Sequence, residues 1–263
     1  MAEQQQLGFP FAVIEQRRRM AMPIEFIGAS LFSALNRSAK PVHHARMTEV
    51  SRMNGYRLFY KGRVLTQAHA DVWLAIIELF KRQQRTNAGM AIEFHASQVL
   101  RVLGKVANAK RRHELHELIT DMVACAVQIS QPGVGKAWVG PMVFGEIEHN
   151  EITGETRYKV ALHPVLCQAY QRGFTSFEWL ERKAIGKNEL ALWLHQYLLA
   201  FRDPVPVAEL HQHSWQARGD RRDDRAAFRH RLRTAANALK ELGLIERWMI
   251  DPEDRLHTKV AKR

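Results

Sequence analysis

The chain has only two cysteines in 263 residues, Cys125 and Cys167, with no CxxC spacing between them. A disulfide framework and a thiolate zinc site are therefore excluded, and two reduced thiols in apolar surroundings are expected. No apolar run approaches the about 18 to 20 residues that a membrane helix needs. The opening Met1-Ala2-Glu3 and its three following glutamines have neither the basic nor the apolar region of a secretory leader, so a cytoplasmic location and no membrane partner are expected.

Catalytic signatures are missing as well. Gly133-Val-Gly-Lys136-Ala lacks the spacing and the hydroxyl of a phosphate-binding P-loop. There is no GxSxG nucleophile turn. His113-Glu-Leu-His116 and His211-Gln-His213 do not have the HExxH spacing, and no carboxylate-rich cluster completes a metal site around either. The second pair has a polar middle residue and no tyrosine after it, since the last tyrosine is Tyr197; a covalent DNA-nicking mechanism lacks its nucleophile. The paired carboxylates Asp223-Asp224 sit in an arginine-rich run, where charge pairing explains them. The expectation is a protein that is not an enzyme and has no metal and no cofactor.

Positive charge is abundant. Lys plus Arg is 39 against 27 Asp plus Glu, a net charge of +12. The isoelectric point is near 10.0. Such an excess concentrates polyanions at the surface, and DNA is the usual partner of a compact domain this basic. With 46% hydrophobic and 25% charged residues, the chain can bury its own core.

Residues 1–24 read as a flexible N-terminal arm, rich in glutamine and then arginine. A short helix is expected at 28–37 and loop at 38–55. A strand follows at 56–60. Val72, Trp73, Ile76, Ile77, Leu79 and Phe80 recur at helical spacing and predict a helix over 66–84. A strand at 91–94, a short helix at 96–103 ended by Gly104, and a helix at 109–124 capped by Asn108 come next. Strands at 125–130, 137–148 and 155–162 follow, the last two flanking a turn at 150–154. A linking helix at 163–172 and an extended run at 175–180 lead into a second series. It consists of a helix at 187–201, a break at Asp203-Pro-Val-Pro206, a short helix at 207–213, a long helix at 223–241 and a hairpin of 244–250 with 256–260. Helix, short helix, long helix and hairpin is the order of a winged helix, and it occurs twice. The predicted fold is α+β: two tandem winged-helix domains, each a helix-turn-helix plus a β-hairpin wing, at 25–162 and 163–263.

The last long helix carries the DNA hypothesis. Phe228, Leu232, Ala235, Leu239 and Leu242 form one core stripe. Arg222, Arg225, Arg229, Arg233 and Lys240 fall on another, with Arg221 beside it. An arginine fork can hold a guanine edge or a phosphate through two bonds. Arg221, Arg222, Arg225 and Arg229 are therefore expected to make groove and near-groove contacts, and Arg233 and Lys240 phosphate contacts. The alternative is a solvated face on which Asp220, Asp223, Asp224 and Glu241 pair with the arginines. The first domain offers Lys105, Lys110, Arg111 and Arg112 near the start of its long helix. The wings add Lys136, Arg255 and Lys259.

Several segments resemble TrfA-type plasmid replication initiators. They are Tyr56–Gln84 (YRLFYKGRVLTQAHADVWLAIIELFKRQQ), Leu103-Gly-Lys105 with RRHELHELITDMVACAVQI, Ile185-Gly-Lys-Asn188 with ELALWLHQYLLAF, and Pro204-Val-Pro-Val207. The resemblance spans roughly residues 25–250, with Asp71-Val72-Trp73 and Trp193-Leu194-His195 as its more specific points. It implies binding to double-stranded iteron repeats at a plasmid origin and opening of an A/T-rich region, with possible contact to single-stranded A/T-rich DNA. It also implies recruitment of the host initiator DnaA, the replicative helicase and the sliding clamp, and exchange between monomer and homodimer. Gln6, Phe9 and Phe11 resemble the short sliding-clamp-binding peptide, with Phe9 where leucine is usual and Pro10 beside it. The same two domains would also serve a winged-helix transcriptional repressor.

Overall fold

The computed structural model describes residues 19–29, 31–35, 42–53, 56–84, 91–130, 137–150, 155–162, 164–201, 204–214 and 222–261. Strand β1 (Arg19–Pro23) begins the described chain, followed by one turn of helix, α1 (Ile24–Ile27), and the two-residue strand β2 (Phe32–Ser33). Met20, Ala21 and Met22 are buried. The flexible arm expected up to residue 24 therefore does not hold at its end. Its hydrophobic Met-Ala-Met run is core, not tether. The helix expected at 28–37 is replaced by a turn and β2. The loop expected at 38–55 contains the long strand β3 (His43–Met53).

The first module then follows. Strand β4 (Tyr56–Arg63), β5 (Leu65–Thr66), helix α2 (Gln67–Gln84), β6 (Ala91–His95), α3 (Ala96–Val102) and α4 (Ala109–Ala124) run in order. Helix α2 is apolar nearly all round, with Trp73, Leu74, Ala75, Ile76 and Phe80 fully buried. Asn108 caps α4 as expected, its Oδ1 accepting the Arg111 N–H at 2.9 Å. Strands β7 (Ala126–Ser130), β8 (Ala137–Gly140), β9 (Phe144–Asn150) and β10 (Glu155–Ala161) follow.

The single strand expected at 137–148 is two strands in two sheets. β7 and β8 join an antiparallel sheet of order β3-β4-β7-β8, while β9 and β10 form a hairpin in a sheet of order β6-β10-β9. Met142 and Val143, fully buried, pin the crossing between them.

The second module repeats the scheme. Helix α5 (Pro164–Arg172), strand β11 (Phe174–Glu178) and helix α6 (Trp179–Ile185) precede it. Helix α6 was not expected from sequence. Helix α7 (Glu189–Ala200), strand β12 (Val205–Pro206), α8 (Val207–Ser214), α9 (Arg222–Glu241) and the hairpin β13 (Ile245–Ile250) with β14 (Arg255–Val260) complete it. Its sheet order is β12-β14-β13, matching β6-β10-β9 strand for strand.

The modules are stitched together. β1 pairs antiparallel with β11, from Arg19 opposite Glu178 to Pro23 opposite Phe174. Arg172 donates to both carboxylate oxygens of Glu25, at 2.5 and 2.7 Å, and its guanidinium lies 4.4 Å from the centre of the Tyr56 ring. Arg182, 3% exposed, pairs with Asp71 at 2.6 Å and donates to the Gln67 carbonyl and side chain. Gln67 in turn donates to the Phe32 carbonyl at 2.7 Å. A buried arginine held by three acceptors fixes geometry, and removing one partner strands a charge. Cys125 is buried and unbridged, and burial pushes its thiol pKa up; the Cys167 side chain lies outside the described residues.

Candidate nucleic-acid interface

Helix α9 sorts its two faces sharply. Phe228, Leu232, Ala235, Ala236 and Leu239 are each 0% exposed. Leu242, expected to end that stripe, is instead 39% exposed, because the helix stops at Glu241 and the chain turns away. Gly243 makes the turn at φ +67°, a conformation few other residues adopt without strain. The Leu244 N–H then donates to the Leu239 carbonyl, closing the helix end.

On the opposite face Arg225, Arg229, Arg233 and Lys240 are exposed. Among the described residues, Arg233 and Lys240 have no carboxylate partner. Arg229 is held by Asp254 at 2.7 Å, and that hydrogen bond raises the arginine pKa further. Asp254 sits in the turn of the hairpin at φ +61°. One charge pair thus ties the helix face to the wing. Together Arg229, Arg233, Asp251 and Asp254 line a shallow cleft of about 190 Å³ between them. Arg222 opens α9; Arg221 lies outside the described residues.

The wing is less available than its sequence suggested. Arg255 pairs with Asp251 at 3.0 Å and with Glu253 at 2.6 Å. Lys259 pairs with Glu246. His257 bonds Asp251 at 2.7 Å, which with the Arg255 contacts holds the Asp251 pKa down at about 2. The outward strand face also carries Arg247, exposed, opposite Lys259 across the hairpin. Arg247 is not among the expected contacts; strand alternation after Ile245 is the sequence signal that marks it. Exposed Met249 lies opposite His257 on the same face, while the Trp248 indole turns inward and donates to Asn237 on α9 at 3.1 Å.

The first module presents a different surface. Lys110 and Arg112 are exposed in the first turn of α4. Arg111 is occupied by Glu114 at 2.7 Å, and His113 stands 3.6 Å from Glu117. Asp121 holds Arg63 at 2.9 Å and buried His69 at 3.2 Å. His69 Nδ1 accepts the Thr66 N–H, so its Nε2 carries the proton toward Asp121. These bonds lock the start of α2. Lys105 follows the Gly104 turn, half-buried. Lys136 and the Gln6, Phe9 and Phe11 segment lie outside the described residues.

Among the described residues, no group of three His, Cys, Asp or Glu stands where it could hold a metal ion, and no helix is long and apolar enough to cross a membrane. Burial lowers the His213 pKa, placing this histidine of the His211-Gln-His213 pair in packing, with His211 against the Phe228 ring at 4.7 Å.

No family model matches the chain, and no curated protein does. Among solved structures it is similar to the selenomethionine crystal structure of domain 2 and domain 3 of RctB. The TM-score is 0.52 at 13% identity, over 81% of this chain and 85% of that one. A second crystal structure of RctB domains 2–3 gives a TM-score of 0.50 at 11% identity, over 88% and 94%. What the chain shares with those two domains is their fold, an α+β arrangement of tandem winged helices.

Proposed function

We propose that the chain is a replication initiator that binds duplex DNA sequence-specifically and acts by binding, not by catalysis. The observation that carries this reading is the sorting of α9. A fully buried stripe fixes the helix, and a row of exposed cations faces out immediately before a β-hairpin wing. A helix so placed fits the major groove, with its N-terminal turns nearest the bases. Arg225 and Arg229 then read base edges, while Arg233 and Lys240 hold phosphates. The tandem winged-helix fold shared with domains 2 and 3 of RctB supports the reading, as does the resemblance to TrfA-type replication initiators across both modules.

In its full form the proposal has the chain bind iteron repeats at a plasmid origin and help open an A/T-rich segment, whose steps are the cheapest to deform. DnaA, the helicase and the sliding clamp are the partners it would recruit, the last through Gln6, Phe9 and Phe11.

The test is binding of purified protein to duplexes carrying the repeats beside its own gene, against scrambled duplex, over a salt series. Repeat-specific binding that is lost in Arg225→Ala/Arg229→Ala supports the proposal. Equal weak binding to both duplexes overturns it. An origin-transformation assay separates an initiator from a repressor built on the same domains, and incubation of supercoiled DNA with Mg²⁺ detects any cleavage.

A further inference from the structure

The Gly-Lys turns at Gly104-Lys105 and Gly186-Lys187 lie 82 positions apart in the chain, one at the corner of each module. The structure brings their surroundings together. Gly104 has φ +67°, and its N–H and that of Lys105 donate to the Arg101 and Leu100 carbonyls, which fixes the α3–α4 turn. A Cβ built on Gly104 would run into Lys183 Nζ, with Lys183 Cε 3.1 Å away. The ammonium group of α6 in the second half therefore lies directly on the helix-turn-helix corner of the first. The Trp179 ring, 5.8 Å from that Nζ, supports it from its own helix.

The charge balance around this contact is one-sided. From Arg101 to His113 the chain carries Arg101, Lys105, Lys110, Arg111 and Arg112 and no carboxylate. From Lys183 to Asn188 it carries Lys183 and Lys187 and again none. Asp71 is taken by buried Arg182 and Glu181 faces His195, while Glu114 offsets Arg111, and Lys105 and Glu189 have contacts of their own, so the seam's exposed cations are Arg101, Lys110, Arg112, Lys183 and Lys187. Two cationic segments held against each other repel, and a polyanion offsets that repulsion.

We infer that this seam is a phosphodiester-binding surface that holds the DNA backbone where the duplex passes from one module to the other. The inference rests on the duplex-binding reading above and adds a contact that belongs to neither long helix. Lysine suits it, because a mobile ammonium takes a phosphate as a point charge and reads no base.

The experiment compares wild type with Lys183→Gln/Lys187→Gln and with Lys183→Arg on the repeat duplex and on a random duplex, across a salt series. Each lost phosphate contact lowers the slope of log affinity against log salt by about 0.9. The double glutamine variant should lose one to two such contacts on both duplexes, with affinity about three- to tenfold lower per contact at moderate salt and an unchanged preference between the duplexes. Lys183→Arg should keep the wild-type slope. Neutral methylphosphonates placed between the two grooves should weaken wild type and leave the glutamine variant unaffected. A glutamine variant with the wild-type slope overturns the seam and leaves duplex binding standing. A wild type that shows no salt-dependent duplex binding overturns the functional reading itself, and the seam with it.

Discussion

The two winged helices share a scaffold and differ in what they show to solvent. Sheet order β6-β10-β9 in one matches β12-β14-β13 in the other, and each long helix follows a short one. Yet α4 carries three Lys and Arg against three carboxylates, all three of which face a basic partner, whereas α9 carries six against three. The first module also holds the four-stranded sheet β3-β4-β7-β8, which has no counterpart among the described residues of the second. Strand order is set by which faces must be buried; the partner is set by which charges are left without one. A repeated fold therefore need not repeat a binding role.

The largest expected effect tests whether the two modules can be separated at all. Arg182→Ala takes the buried guanidinium away from half-buried Asp71 and from Gln67, and we expect a loss of about 3 kcal/mol, with both modules unfolding in one transition. Urea unfolding followed by far-ultraviolet circular dichroism and by tryptophan fluorescence checks this; two separated transitions would break the picture of one stitched body. Next in size is the comparison of the long helices. Arg225→Ala and Arg229→Ala should each weaken repeat-specific binding by about 1–3 kcal/mol and relax base preference. Lys110→Ala/Arg112→Ala in α4 should weaken binding to all sequences alike and by less, as read in competition titrations. Equal loss of specificity from both helices would erase the asymmetry.

A smaller gain is expected from Asp254→Asn, which releases Arg229 while suiting the positive φ of that turn. Binding to the repeat duplex should tighten a few-fold; weaker binding would mean that Asp254 positions Arg229 instead of restraining it. The smallest effect concerns acid. Because the Asp251 pKa is depressed to about 2, the hairpin tie it makes with His257 and Arg255 is fully present above the ordinary carboxylate range and is lost as pH falls through about 2. Proton-detected NMR of the hairpin amides across an acid titration should show the Arg255 N–H losing its Asp251 bond only at that low pH.

How much of this could be read from sequence depended on how local the cause was. Helices α2, α7 and α9 were legible because their apolar spacing declares them. The Asn108 cap and the Gly104 and Gly243 stops were legible for the same reason. Strand β1 was not, since among the described residues its strand partner comes from far along the chain. Strand β3 was missed because His43–Met53 mixes charged, polar and apolar residues without alternation and, among the described residues, pairs on one side, with two irregularities in register. Helix α6 reads as polar in Trp-Leu-Glu-Arg-Lys, and what holds it is tertiary: Arg182 reaching Asp71. At the candidate site the outward face of α9 was legible, including its arginines. The pairing of Arg255 and Lys259 was not, because their partners Asp251, Glu253 and Glu246 become neighbours only once the hairpin closes.

The pairing of β1 with β11 also dictates an order of events during synthesis. Arg19 must wait for Ser176, 157 residues later, before its side chain finds that carbonyl. At ordinary ribosomal speeds this is a delay of about eight to thirty seconds. For that interval Met20, Ala21 and Met22 have no strand to lie against, and a nascent chain stopped at the end of β10 leaves that side of β1 open, with helix α2 to pack on. A gene fragment cut at the apparent module boundary would carry the same unpaired strand edge into the test tube.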